Sequence, residues 1–243
     1  MKESNTLDVK EQKIKALLYG KSGTGKTYSA LTLKPETTLV LSAESGLLSL
    51  SGQPFTVWTI EEFDDMMAAY QRLQTVECQA QFKVVFIDSL SEINELCKDK
   101  IIKIDRPNTG KDTGKVYTDL LTLPDYQLLQ TRMIRMVRAF RDLPYHVVFT
   151  ALEDSQKNER TGEISVVPSI NGKLATNIAG YFDEVFHLVV KDDGDKVDRF
   201  FVTGHMEGAI AKDRSGSLEL FEQPSWSVVF KKIFAKYKIK EAK

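Results

Sequence analysis

Gly20-Lys21-Ser22-Gly23-Thr24-Gly25-Lys26-Thr27 fits G-x-x-x-x-G-K-[ST] at every fixed position, and no other stretch is so well suited to chemistry. Glycines at these spacings let successive main-chain amides curl round an anion without Cβ clashes. Lys26 then brings an ammonium to the β- and γ-phosphates of a nucleotide, while the Thr27 hydroxyl is a ligand for Mg²⁺. Tyr28 follows directly and is counted with the cradle. Ile14–Tyr19 before the loop reads as a buried strand, and Tyr28–Leu33 after it can form a helix whose positive end faces the anion. The competing reading is a chance Gly/Ser-rich turn, which is improbable for a full match in strand–loop–helix order. The loop predicts ATP and Mg²⁺ as ligands but leaves the reaction open, since kinases, switches, motors and recombinases share it.

A nucleotide-bound Mg²⁺ also needs a carboxylate at the end of a neighbouring strand. Lys83-Val84-Val85-Phe86-Ile87-Asp88-Ser89 offers Asp88, for which a helix N-cap is the plainer alternative. Hydrolysis further needs a group that orients or deprotonates water. Many ATPases with this loop have Glu directly after the Asp; here that position is Ser89. Glu92, one helical turn on, is one candidate, although it could simply complement the helix dipole. Glu44 is the favoured one. It follows Thr38-Leu39-Val40-Leu41-Ser42-Ala43, where open α/β sheets place ligand-facing groups; its alternative is a loop Glu in Glu44-Ser45-Gly46.

These groups need strands and helices to hold them. Val84–Ile87, Thr38–Leu41 and His146–Phe149 are apolar runs like the one before the loop, without clean alternation. That pattern predicts a central, largely parallel sheet covered on both faces. Thr59-Ile60-Glu61-Glu62 reads as a capping box opening a helix with Phe63, Met66, Met67, Tyr70 and Leu73 on one face. A second amphipathic helix follows Pro124-Asp125, with Tyr126, Leu129, Met133, Met136, Val137 and Phe140. Glu184–Val190 and Val197–Val202 flank Asp192-Asp193-Gly194-Asp195 and predict a β-hairpin, so antiparallel strands join late in the chain. Three units are expected: a polar arm at 1–13, a core at 14–225 and a basic C-terminal helix at 226–243.

The chain has 243 residues, enough for one substantial core. Lys+Arg number 33 against Asp+Glu 34, so nucleic-acid binding would need local patches rather than an overall basic field. Cys78 and Cys97 lie in helical stretches without a metal-binding spacing and read as reduced, buried thiols. The polar start lacks a signal-peptide pattern and no apolar run approaches a membrane span, so a cytoplasmic protein without a membrane role is expected.

The order of loop, strand–Ala43-Glu44 and strand–Asp88-Ser89 resembles the RecA-type recombinase core, in which the catalytic Glu follows the second strand. Pro168-Ser169-Ile170-Asn171-Gly172-Lys173 and Ala211-Lys212-Asp213-Arg214-Ser215-Gly216 extend the likeness to compact phage-encoded AAA-like/RecA-like ATPases, some of them single-strand-annealing recombination proteins. The resemblance implies a RecA-like P-loop core, oligomerisation as a ring or filament, and ATP-controlled binding of single-stranded DNA. It implies catalytic roles for Lys26 and Glu44, and a γ-phosphate sensor at Thr150, where Thr150-Ala151-Leu152-Glu153 replaces the usual Asn-Gln. Lys212 and Arg214 would complete a neighbour's site, as an arginine finger does; an exposed turn is the alternative.

DNA contact is expected from two polar segments. The first, 103–115, holds Lys103, Arg106, Lys111 and Lys115, with Tyr117 beyond it; the second, 154–173, holds Lys157, Arg160 and Lys173. Acidic residues in the second make a solvated loop the competing reading. A single-stranded-DNA-binding protein is a further candidate partner. Two other functions stay in view: a P-loop kinase for a small molecule or nucleotide, and a nucleotide-switch assembly factor with little turnover.

Overall fold

A computed structural model of the chain describes residues 13–44, 46–105, 120–172 and 174–237. The arm up to residue 12, the DNA candidates Arg106, Lys111, Lys115 and Lys173, Tyr117, and residues 238–243 lie outside the described residues. In chain order the elements are β1 (Lys15–Gly20), β2 (Thr38–Ser42), β3 (Thr56–Thr59), α1 (Phe63–Leu73), α2 (Val76–Gln81), β4 (Val84–Asp88) and α3 (Leu90–Lys100). They continue with α4 (Leu123–Arg141), β5 (His146–Lys157), β6 (Ile164–Pro168), α5 (Leu174–Asn177), β7 (Glu184–Asp192), β8 (Val197–Val202), β9 (Lys212–Asp213), β10 (Phe221–Glu222) and α6 (Trp226–Tyr237).

The sheet runs β10-β8-β7-β1-β5-β4-β2-β3, with β6 added to β5 and β9 to β7. From β7 to β3 every neighbouring pair is parallel, whereas β6, β8, β9 and β10 pair antiparallel. Helices cover both faces, as the unalternating apolar runs require. Leu17, Tyr19, Val85 and Ile87 point toward a core with α1 to α5, and Ala16, Leu18, Val40 and Phe86 toward one with α6. The fold is therefore α/β with a mostly parallel sheet and antiparallel strands added late, as expected. Parallel pairing carries the loop after β1 and Asp88 to the same edge, and β5 stands between those two strands.

Several local expectations shift. The run after the phosphate loop is a six-residue 3-10 turn, Thr27–Thr32, and not an α-helix. Its hydroxyls compete for backbone carbonyls: Ser29 Oγ donates to Lys26 O (2.5 Å) and Thr32 Oγ1 to Ser29 O (2.7 Å). Pro35 then opens the next turn, so the helix-dipole contribution to the anion site is slight. Thr59 ends β3, and α1 starts four residues later, where the Asp65 carboxylate accepts from the Glu61 and Glu62 amides at 2.9 Å. Met67 and Tyr126 are exposed rather than part of the buried stripes. The second polar segment is in good part a ribbon, Glu153–Lys157 pairing with Ile164–Pro168. Both cysteines are buried. Among the described residues no helix is long and apolar enough to cross a membrane.

Candidate nucleotide-binding site

The loop leaves β1 at Gly20, where the chain runs so close to β7 that a Cβ would meet Leu188 O at 2.7 Å. Gly20 is thus required for packing against β7. Gly25 is required for conformation, since its φ of +103° is one that side-chain-bearing residues rarely adopt. Thr24 is buried and clasps the loop, donating from Oγ1 to Lys21 O at 2.9 Å. Ser22, Gly23 and Tyr28 are exposed, Tyr28 at 62%.

Lys26 is folded back into the loop. Its ammonium donates to Gly20 O (2.9 Å) and Lys21 O (2.8 Å) and is 7% exposed. Burial lowers its pKa, opposed by the charges of Glu44, Asp88 and Glu153. Thr27, 61 positions away in sequence, donates its hydroxyl to Asp88 Oδ2 at 2.6 Å. Asp88 ends β4 almost wholly buried, and its other oxygen accepts from Thr150 Oγ1. Desolvation raises the Asp88 pKa, the two hydroxyl bonds oppose the rise, and the charge of Glu44 adds to it. Thr150 is fully buried, with its hydroxyl within bonding distance of Asp88 Oδ1 and of the Ile87 carbonyl.

Glu44 joins this group because the loop after β2 is pinned to the end of β4. The Asp88 carbonyl accepts from the Ala43 amide (2.7 Å) and the Glu44 amide (3.3 Å), and Ser89 Oγ donates to Glu44 Oε1. Glu92 sits in the first turn of α3, where burial and the charge of Glu44 raise its pKa. Thr27, Lys26, Asp88 and Glu44 therefore converge, with Glu92 beside them. Mutually repelling carboxylates around one lysine favour a bound cation. The Thr27 hydroxyl and Asp88 carboxylate are hard oxygen donors suited to Mg²⁺. Among the described residues no trio of His, Cys, Asp or Glu could hold a metal alone, so a cation here needs phosphate oxygens as well.

Other predicted residues lie elsewhere. Lys212 pairs with Val185 and Asp213 with Glu184, and Glu184 is level with Ala16 on β1. That is the end of the sheet opposite Gly20. Lys212 Nζ donates to Ala179 O (2.7 Å), and Arg214 pairs with Asp183 (2.8 Å). Within one chain neither approaches the loop, as residues expected to act on a neighbour's site need not. Lys103 is exposed and paired with Asp99 at 2.6 Å. Lys157 and Arg160 are exposed at the outer end of the β5–β6 ribbon, among Asp154, Glu159 and Glu163.

Three contacts had no signal in the sequence, because each joins residues far apart along the chain. Arg199 on β8 donates from Nε to Thr24 O in the loop at 3.1 Å. Glu153 and His187 pair at 2.7 Å across the end of β1, where His187 stacks on Tyr19 with centroids 5.0 Å apart. Trp226 opens α6 with its amide on Thr32 Oγ1 (2.8 Å) and its indole N–H on Ser29 Oγ (2.9 Å), seating the turn that follows the loop.

A mostly parallel α/β sheet whose first strand ends in this loop, with the loop threonine on a buried strand-end carboxylate, defines the class of P-loop NTPases. Comparison with known families makes the assignment narrower: residues 12–215 match the AAA_24 family, described as an AAA domain, and the chain belongs to that family. Among solved structures the chain is similar to the KaiC-like protein PH0186 from the hyperthermophilic archaeon Pyrococcus horikoshii OT3. Identity is 14%, coverage 79% of each chain and the TM-score 0.43. No curated protein matches the chain.

Proposed function

We propose that the protein binds ATP with Mg²⁺ and hydrolyses it to ADP and phosphate. The observation that carries this reading is the Thr27–Asp88 hydrogen bond with Lys26 and Glu44 beside it. Thr27 and Asp88 would hold Mg²⁺, which would supply neutralisation of triphosphate charge. Lys26 gives up its loop carbonyls for phosphate oxygens, and the loop amides bind the rest of the chain of phosphates. Glu44 orients a water and accepts its proton as the water oxygen bonds to the γ-phosphorus and the bond to the ADP oxygen breaks. Ser89, through its bond to Glu44, fixes which carboxylate oxygen is left for the water.

The finer reading is ATP-controlled binding of single-stranded DNA by an oligomer, in recombination or strand annealing. What supports it is the resemblance to RecA-type cores and the β5–β6 ribbon, which extends β5 beyond Leu152, level with Gly20, on the loop side of the sheet. Lys157 and Arg160 at its outer end can meet phosphates.

ATPase rate with and without single-stranded DNA, run beside a gel shift and with Lys26→Ala as control, tests both levels. Hydrolysis that Lys26→Ala abolishes and DNA accelerates supports both. Phosphoryl transfer to a nucleoside or nucleotide would make the protein a kinase, and tight ATP binding with negligible turnover would make it a switch. Unchanged nucleotide binding in Lys26→Ala removes the loop as the nucleotide site.

A further inference from the structure

The layout of the loop separates two ends of its ligand. On the β4 side stand Thr27, Asp88 and Glu44, the groups that would face Mg²⁺ and the terminal phosphate. On the other side of β1 lie β7 and β8. There the side chain of Arg199 crosses the loop. Its Nε is on Thr24 O at 3.1 Å, and a Cβ placed on Gly25 would lie 3.8 Å from its Cδ and Nε and 3.9 Å from Tyr28 Cβ. β8 is held in register by β7, with Val190 opposite Arg199, so the position of the side chain is built into the hairpin. Of the neighbouring acids on its strand, Asp198 is taken by Lys196 at 2.8 Å. Among the described residues Arg199 has no ion pair, and its terminal NH₂ groups have no hydrogen bond.

We infer that Arg199 is a nucleotide ligand supplied by the same chain, its guanidinium holding phosphate oxygens on the nucleoside side of the loop. This rests on the nucleotide-binding reading above. A guanidinium fixed at Nε still presents NH₂ donors in a plane suited to phosphate. Lys212 and Arg214, expected to act on a neighbour's nucleotide, are held at the far end of the sheet by Ala179 and Asp183 and do not compete for this position. Because Arg199 lies away from Asp88 and Glu44, its contact is the same in ATP and ADP. It therefore sets affinity and leaves the chemical step nearly untouched.

Calorimetric titration of ATP and of ADP, each with Mg²⁺, into wild type, Arg199→Ala, Arg199→Gln and Lys26→Ala tests the inference. A charge-assisted contact predicts that Arg199→Ala weakens both nucleotides alike, by roughly ten- to a hundredfold, with kcat at saturation within a few-fold of wild type. Arg199→Gln keeps a donor for the Thr24 carbonyl but no charge, and is expected to bind as weakly as Arg199→Ala. Wild-type affinity in Arg199→Gln reduces Arg199 to a brace for the loop and overturns the inference. Wild-type affinity in Arg199→Ala, with binding lost in Lys26→Ala, overturns it while the loop stands; if Lys26→Ala also binds normally, the assignment of the nucleotide to the loop itself fails. Mixing Arg199→Ala with Lys26→Ala chains should leave ATP affinity as weak as in Arg199→Ala alone, and recovery of wild-type affinity would assign Arg199 to a neighbour's site and overturn the inference.

Discussion

Glu184 opens β7 with 1% of its surface exposed. One carboxyl oxygen accepts from the Ser215 amide at 3.2 Å and the other has no partner. Burial, reinforced by the charge of Asp213, pushes its pKa from 4.5 up to about 9. At pH 7 the folded chain therefore holds a proton that the unfolded chain has released. Between pH 4.5 and 9 the native state binds more protons, so stability falls as pH rises through that window. At about 1.4 kcal/mol per pH unit, the loss by pH 7 relative to pH 4.5 reaches about 3 kcal/mol. The surrounding charges are Asp183, Asp213, Lys212 and Arg214, with Lys15 close by through Asp183. Burial lowers the Lys15 pKa to about 7 and the His146 pKa to about 3, so Lys15 makes stability rise with pH above 7 and His146 makes it rise between about 3 and 6.5; both contributions are common to wild type and variant, and the difference between the two isolates Glu184. Glu184→Gln reproduces the shape of the neutral acid, keeps an acceptor for Ser215 and cannot ionise. Urea melts should show the variant level with wild type near pH 4.5 and more stable by up to about 3 kcal/mol at pH 7. A difference that does not change with pH, or a variant less stable at pH 7, refutes the buried neutral carboxyl.

Two further outcomes follow from the site. Glu44→Gln should keep ATP affinity while lowering kcat by about two to four orders of magnitude, the usual worth of a positioned base, and Glu92→Gln should stay within a few-fold of wild type. Steady-state kinetics of the pair decides, since the reverse pattern moves the base to Glu92. Arg214→Ala breaks a half-exposed ion pair and should cost at most about 1 kcal/mol in a urea melt, with turnover retained. Lost turnover with nucleotide binding intact would instead place Arg214 at a neighbour's nucleotide.

Much of the site was legible because its signals are local. The phosphate loop is contiguous, and Asp88 and Glu44 each directly follow or end an apolar run that could only be a buried strand. What misled were signals that local competition overrides. Tyr28–Leu33 has helix-forming residues, but the Ser29 and Thr32 hydroxyls take the carbonyls of a short 3-10 turn. The polar segment at 154–173 reads as loop, and only its pairing with itself reveals the ribbon.

The chain's own order of residues was enough to determine a phosphate cradle, its lysine and hydroxyl, a strand-end carboxylate and a sheet buried on both faces, because each depends on neighbours a few positions apart. Tertiary structure alone decided that Ser89 grips Glu44, that Thr150 backs Asp88, that Trp226 seats the turn after the loop and that Arg199 reaches Thr24. Those contacts join side chains whose proximity depends on strand order and register, and neither is encoded in the spacing of any one segment.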